Sequence, residues 1–254
     1  MRTITPETGP RRVHEDRGSA VIIGGSGAIG AACGDLLSEL GFEVVLVARD
    51  PGRLADVASE IPGARYVAAD CGRAEDIGRV FAGIDHVGAL VHAAGIRVGS
   101  RISEQPVSVL DDLYSSHLRS VFLSVRTALG LMSEGSRVIL VSSIASRVPV
   151  AGLSGYCAMK AGIAIFARSL SLEVRDRGIG VYVVSPGQVD TPLLVKRWHC
   201  LQPEDVAQAI GFLATVDSTL EIGEFDMVGA TRGPHAPALS GPRDGEIGTP
   251  RPIR

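Results

Sequence analysis

The stretch Ile22-Ile23-Gly24-Gly25-Ser26-Gly27-Ala28-Ile29-Gly30 follows a short, wholly apolar run that begins at Ala20, and it opens a segment of helical period that stops at Gly41. Glycines at a strand-to-helix junction let the main chain turn sharply and bring its N–H groups close to an anion at the helix N-terminus. Gly25, Gly27 and Gly30 satisfy the spacing G-x-G-x-x-G. In a chain with 31 glycines the spacing alone says little; its position directly after an apolar strand is what makes it informative. Strand, glycine turn and helix in that order form the opening unit of a doubly wound α/β sheet, with a pyrophosphate as the expected guest of the turn.

Outward from that unit the pattern repeats. Short apolar runs at Glu43–Ala48, Arg65–Ala68, Val87–His92, Arg137–Ser142, Gly180–Val184 and Phe225–Val228 read as further buried strands. Segments of helical period lie between them at about 29–40, 53–60, 73–82, 105–132, 154–177 and 204–214. Gly41 suits the position just past the first helix, and Pro203-Glu204-Asp205 puts acidic residues where the last one begins. Strands apolar on both faces and alternating with helices predict a parallel sheet covered on two sides. The expected class is therefore α/β: a single doubly wound Rossmann-type domain over 19–230, with a parallel seven-stranded sheet and helices on both faces. The ends differ from this middle. Residues 1–18 show hardly any apolar periodicity, and 231–254 hold five of the 14 prolines with four glycines and four arginines. Both read as flexible tails, too poor in apolar surface to offset their ordering entropy.

Composition narrows the function. A net charge of −3 gives no electrostatic case for nucleic acid, and 4% aromatic residues argue against a base-stacking platform. No apolar stretch approaches the length of a membrane helix, and the first residues lack the hydrophobic core of a secretory signal. Cys33, Cys71, Cys157 and Cys200 are widely spread and form no C-x-x-C pair, so free thiols in a reducing cytoplasm are expected and a metal site is not.

The end of the second strand should read the ribose of a dinucleotide. A carboxylate there accepts bonds from the ribose hydroxyls of NAD, whereas a 2′-phosphate is repelled by it and needs a cation. The sequence is Val47-Ala48-Arg49-Asp50. With Ala48 at the strand end, Arg49 comes next and NADP(H) is favoured. A competing register gives the ribose to Asp50 and favours NAD. A third reading makes Arg49 and Asp50 a solvated turn with Pro51-Gly52.

Further elements follow in order. Asp70 comes after the third strand, His92-Ala93-Ala94-Gly95 after the fourth and Ser142-Ser143 after the fifth. Tyr156-Cys157-Ala158-Met159-Lys160 lies in a helix, and Pro186-Gly187-Gln188-Val189-Asp190-Thr191 follows the sixth strand. With Gly24-x-x-x-Ala28-x-Gly30, this series resembles the short-chain dehydrogenase/reductase family in its shorter form, from about Ala20 to Gly229. Ile23 replaces the family Thr and Ala28 its middle Gly, while Gly24, Gly27 and Gly30 also fit the spacing of the longer members. The phrase Val91-His92-Ala93-Ala94-Gly95 is similar to the ketoreductase domains of polyketide synthases.

The resemblance implies an NAD(P)-dependent enzyme that moves hydride between nicotinamide and a carbonyl or secondary alcohol, with Ser143, Tyr156 and Lys160 as catalytic residues. It implies cofactor contacts from Gly24, Ser26, Gly27, Ile29 and Gly30, from Arg49, Asp70 and Cys71, and from Ala93, Ala94 and Gly95. Tyr156, Lys160, Pro186, Gly187, Val189 and Thr191 complete them, Lys160 at the nicotinamide ribose and Thr191 at the carboxamide. Residue chemistry agrees. Tyr156 and Lys160, four apart, share a helix face, and a neighbouring ammonium stabilises phenolate. Tyr156 can then exchange a proton with a carbonyl or alcohol oxygen while the Ser143 hydroxyl polarises the same atom.

Three departures stand out. His117, in His117-Leu118-Arg119-Ser120-Val121-Phe122, occupies the place of a family Asn that supports a proton relay. It can donate, accept and titrate, so it is expected to replace that Asn as a fourth catalytic residue, the alternative being a tolerated polar residue. His92, where the family has Asn, reads as a brace for strand four through a backbone bond. Only 11 residues separate Thr191 from Pro203, and they include Trp198 and His199. That short lid suits a bulky or carrier-tethered substrate, closure by another subunit, or a small substrate handled with less water exclusion. The long helices 105–132 and 154–177 are those through which relatives pair, so a homodimer or homotetramer is expected. A ketoreductase of secondary metabolism leads among the functions. An epimerase, a dehydratase, an imine reductase and a non-catalytic dinucleotide-binding regulator are the alternatives.

Overall fold

The computed structural model describes residues 17–191, 200–217 and 224–229. The expected tails, apart from Arg17 and Gly18, lie outside these residues, as do Trp198, His199 and most of the lid. Seven strands alternate with helices: β1 (Ser19–Ile23), α1 (Ala28–Glu39), β2 (Glu43–Ala48), α2 (Pro51–Glu60), β3 (Arg65–Ala68), α3 (Ala74–Val80), β4 (Val87–His92), α4 (Val107–Tyr114), α5 (Ser120–Ala128), β5 (Arg137–Val141), α6 (Ser154–Val174), β6 (Gly180–Pro186), α7 (Pro203–Thr215) and β7 (Glu224–Met227). All neighbouring pairs are parallel, in the order β3-β2-β1-β4-β5-β6-β7. The chain builds outward from β1 on one side, then returns to lay β4 against β1 on the other. That reversal opens a crevice beyond the carboxyl ends of the strands, where such sheets bind ligands.

Alternation along each strand divides the core into two layers. Val21, Ile23, Val45 and Val47 face one side, where α3, α5 and α6 contribute Ile77, Val125, Ile163 and Leu170. Ala20, Ile22, Val44 and Leu46 face the other, against Leu37 of α1, Leu54 of α2 and Ile210 of α7. Gly41, at φ +88°, ends α1 in the left-handed conformation that a residue with a side chain adopts at a cost.

Two expectations need correction. Neither β3 nor β7 is a buried strand. Arg65 and Tyr66 of β3 are exposed, as are Phe225 and Asp226 of β7, because the strand order puts both at sheet edges. The segment read as one helix over 105–132 is not continuous. It starts at Val107, after Pro106, and a π-helical turn at Ser115–Arg119 separates α4 from α5. A π turn inserts one residue without disturbing the apolar pattern much, so periodicity does not reveal it.

Candidate active site

The glycine turn is shaped by close approach. Gly24 sits at φ +91°, and a β-carbon there would lie 2.6 Å from the Ala94 nitrogen. One on Gly30 would lie 2.2 Å from the Gly24 carbonyl oxygen. Gly24 N and Gly25 N donate to the Val47 carbonyl at 2.8 and 3.0 Å, and Ala93 N donates to that of Ile23 at 2.8 Å, which locks the turn to β2 and β4. Gly27, the residue before α1, supplies no capping side chain, and the first turn of α1 holds no acidic residue. The first N–H groups of α1 are therefore left for an outside acceptor, and the surroundings do not repel an anion. These features fit a dinucleotide pyrophosphate. Ser26 belongs to the turn, Ile29 lies in the first turn of α1, Ala94 packs on Gly24, and Gly95 lies against the His117 ring.

At the end of β2 the strand stops at Ala48, as one of the sequence registers requires. Asp50 is engaged by the helix that follows. Its Oδ1 accepts from Gly52 N and Arg53 N at 3.0 and 3.1 Å, capping α2. Arg49 is exposed beside it. Arg53, which the sequence reading missed, reaches back so that Nη2 donates to the Ser26 carbonyl at 2.9 Å. Beyond β3, Asp70 Oδ1 accepts from Gly72 N at 3.0 Å, and burial pushes the Cys71 thiol up to about 12.

Of the expected catalytic residues, Ser143, Tyr156 and Lys160 come from the end of β5 and from α6. Ser143 follows β5, with its hydroxyl 3.4 Å from the Pro186 carbonyl and accepting from Ala145 N at 3.2 Å. Tyr156 and Lys160 sit one turn apart on α6, with Lys160 Nζ 5.7 Å from the phenol ring centre. Nζ donates to the Val141 carbonyl at 2.9 Å, while the Ser142 hydroxyl donates to the main-chain oxygen of Lys160 at the same distance. Lys160 is buried, which pushes its ammonium down to about 8. The phenol differs from expectation. Burial raises the Tyr156 pKa above its ordinary value, and a Ser143 hydrogen bond and the charge of Arg97 offset this only in part. Desolvation outweighs any lowering by the Lys160 ammonium.

His117 lies in the π turn, fully buried, its ring edge-on to Tyr156 at 5.7 Å between centres. Nε2 is 2.8 Å from the Ile96 carbonyl and 3.3 Å from the Ile96 nitrogen, and buried Nδ1 has no partner among the described residues. Burial, with the nearby Lys160 charge, pushes the ring down to about 3. The expected ability to titrate is therefore lost near neutral pH; donating and accepting remain. The His92 ring bonds Ser120 Oγ at 2.9 Å, which ties β4 to the start of α5, and it also bonds a main-chain group at His92 itself. Pro186 and Gly187 close the far side, with Gly187 N donating to the Met227 carbonyl at 2.7 Å. Val189 is buried and bridges to Leu201, and Thr191 is half-buried. The sequence also gave no sign of Arg147, which pairs with Glu224 and Asp226 and ties the turn after Ser143 to β7. Its partners are far away in sequence.

No helix among the described residues is long and apolar enough to cross a membrane. Comparison with known proteins agrees with the geometry. Carbonyl reductase family member 4 of Danio rerio is 30% identical over 212 residues, 76% of this chain and 90% of the relative. A 3-oxoacyl-(acyl-carrier-protein) reductase of Rickettsia typhi is 30% identical over 224 residues, 81% and 92% of the two chains. A solved short chain dehydrogenase of Burkholderia cenocepacia in complex with NADP superposes with a TM-score of 0.79 at 25% identity, covering 84% of this chain and 97% of that one. The short chain dehydrogenase family model matches residues 19–200, and the chain belongs to that family of NAD(P)-dependent oxidoreductases.

Proposed function

We propose that the chain is an NADP(H)-dependent carbonyl reductase, a ketoreductase with Tyr156 as its acid and base. The observation that carries this reading is the grouping of Ser143, Tyr156 and Lys160 beside the glycine cradle, at the carboxyl edge of the sheet. When bound, the reduced nicotinamide supplies the hydride. Tyr156 gives its phenolic proton to the carbonyl oxygen, and the Ser143 hydroxyl holds that oxygen in place. A high phenol pKa suits the acid role, because the group enters the step protonated. Lys160, anchored on the Val141 carbonyl, holds its charge near the phenol as phenolate forms. His117 acts as a positioning residue: it fixes the Ile96 main chain and walls the phenol.

NADP(H) is preferred over NAD(H) on the strength of Asp50. Its carboxylate is held by the cap of α2, which leaves the cations of Arg49 and Arg53 beside the turn. Asp70, Cys71, Ala93, Gly187, Val189 and Thr191 line the rest of the cofactor. The names of the two relatives support a ketone as substrate, and the Val91–Gly95 phrase points to secondary metabolism. The active form is a homo-oligomer in the cytoplasm. The test is a carbonyl panel followed by nicotinamide absorbance with NADPH and NADH. Tyr156→Phe should lower kcat by about 10²–10⁴-fold and leave the NADPH dissociation constant within a small factor. Equal turnover by Tyr156→Phe, or a clear NADH preference, would reject the corresponding part of the proposal.

A further inference from the structure

The segment between β4 and α4 is held at both ends. Ile96 is bonded through its main chain to the His117 ring, and that ring lies edge-on to Tyr156. Four residues later, Ser100 N donates to the Gly152 carbonyl at 2.9 Å, on the loop that leads into the helix of Tyr156. Gly99 sits against Leu153, where a β-carbon would approach within 2.9 Å. Arg97 therefore rides on a short, pinned piece of main chain at the mouth of the site.

Its side chain is exposed and has no carboxylate within ion-pairing distance among the described residues. Arg147, which follows Ser143 by four residues, is the contrast: Glu224 and Asp226 neutralise it. The Arg97 charge also reaches the Tyr156 phenol, where it favours phenolate. The cofactor phosphates would have their own cradle at the glycine turn between β1 and α1. A cation left unneutralised on the phenol side is thus placed for the substrate, not for the dinucleotide.

We propose that Arg97 is the substrate-anchoring residue of this reductase and that the preferred substrate is an anionic ketone, with a carboxylate or phosphate that Arg97 pairs while Tyr156 and Ser143 hold the carbonyl. This rests on the carbonyl-reductase reading above. The reaction balances as ketone plus reduced nicotinamide plus one proton giving secondary alcohol and oxidised nicotinamide. The anionic group is unchanged throughout. An arginine forms paired, charge-assisted hydrogen bonds with either oxyanion.

The test uses matched ketones: para-acetylbenzoate against its methyl ester, and para-acetylphenyl phosphate as the phosphate arm. The full chain with NADPH should favour one or both anions over the ester by about tenfold or more in kcat/KM, as one charge-assisted pair implies. The arm that shows the larger preference identifies the oxyanion. Arg97→Ala should reduce the anion-to-ester ratio by a similar factor, and Arg97→Lys should restore part of it. An unchanged ratio overturns the proposal. So does a parallel fall for anion and ester with a shifted pH profile, which would mean that Arg97 acts through the phenol alone. Equilibrium binding of the same ketones to the NADP-loaded protein is measured alongside. If no ketone turns over, the carbonyl-reductase reading fails. Binding then still decides Arg97, by whether the anion binds more tightly than the ester and loses that advantage in Arg97→Ala.

Discussion

Two imidazoles lie buried within reach of the Lys160 charge, and both stay neutral, with a single N–H each, at neutral pH. His117 Nε2 can donate to the Ile96 carbonyl at 2.8 Å or accept from its nitrogen at 3.3 Å, but not both, and the shorter contact selects the Nε2–H tautomer. His92 donates to Ser120 Oγ, because that hydroxyl gives its own hydrogen to the Ser116 carbonyl at 2.8 Å. Burial pushes both rings down to about 3, from 6.5 in an open chain. Between those values the unfolded chain takes up protons that the folded chain refuses. Stability is thus full above pH 6.5 and declines as pH falls toward 3, with each histidine contributing a slope of ~1.4 kcal/mol per pH unit. Urea unfolding across this range should show a shallower decline for the double variant His92→Asn, His117→Asn than for the native chain. Carboxylates such as Asp76, held low by bonds to the Asp70 main chain and to Arg79, contribute to acid sensitivity in both proteins. The difference between the two curves therefore isolates the histidines, and identical slopes would exclude them as its source.

At the scale of elements, the cap on α2 offers a test of the ribose registers. Asp50→Ala removes the acceptor for Gly52 N and Arg53 N and should cost ~1 kcal/mol in unfolding free energy. If Asp50 only caps, NADH affinity stays where it was. A large loss of NADH binding in a folded variant would return the ribose to Asp50. The strand core and glycine turn were legible because their signals are local: period, apolar runs, and glycines where a β-carbon would collide. Ser143, Tyr156 and Lys160 were legible from order and spacing. Arg53 to Ser26, His92 to Ser120 and Arg147 to Glu224 were not, since contacts 27, 28 and 77 residues apart leave no local pattern. The π turn was hidden for another reason. Leu113, Val121 and Val125 stay buried on either side of it, so the apolar rhythm passes over the extra residue that brings His117 to the phenol.

At the scale of the whole molecule, the described residues leave rows of apolar side chains exposed. Val107, Leu110 and Tyr114 recur at three- and four-residue spacing along α4, at 76%, 50% and 47% exposure. Phe122 of α5 and Ile165 and Leu172 of α6 are exposed as well, the last two seven residues apart on one helix face. Apolar residues in such rows on a globular surface mark an interface when they form one patch. Of the helices that carry them, α4 and α5 flank the π turn of His117 and α6 carries Tyr156 and Lys160, so a second copy docked here would stiffen the elements that hold the site. We expect a homodimer, burying about 800 Å² on each partner as stable interfaces do. Light scattering after size exclusion should give at least twice the chain mass of 26.5 kDa. The double variant Ile165→Asp, Leu172→Arg should shift it toward monomer. Because a partner that binds only the folded chain adds stability by mass action, the native melting temperature should rise with protein concentration and that of the variant should not. A native chain that stays monomeric at every concentration would mean that these rows are merely solvated, and that the site is held by its own chain alone.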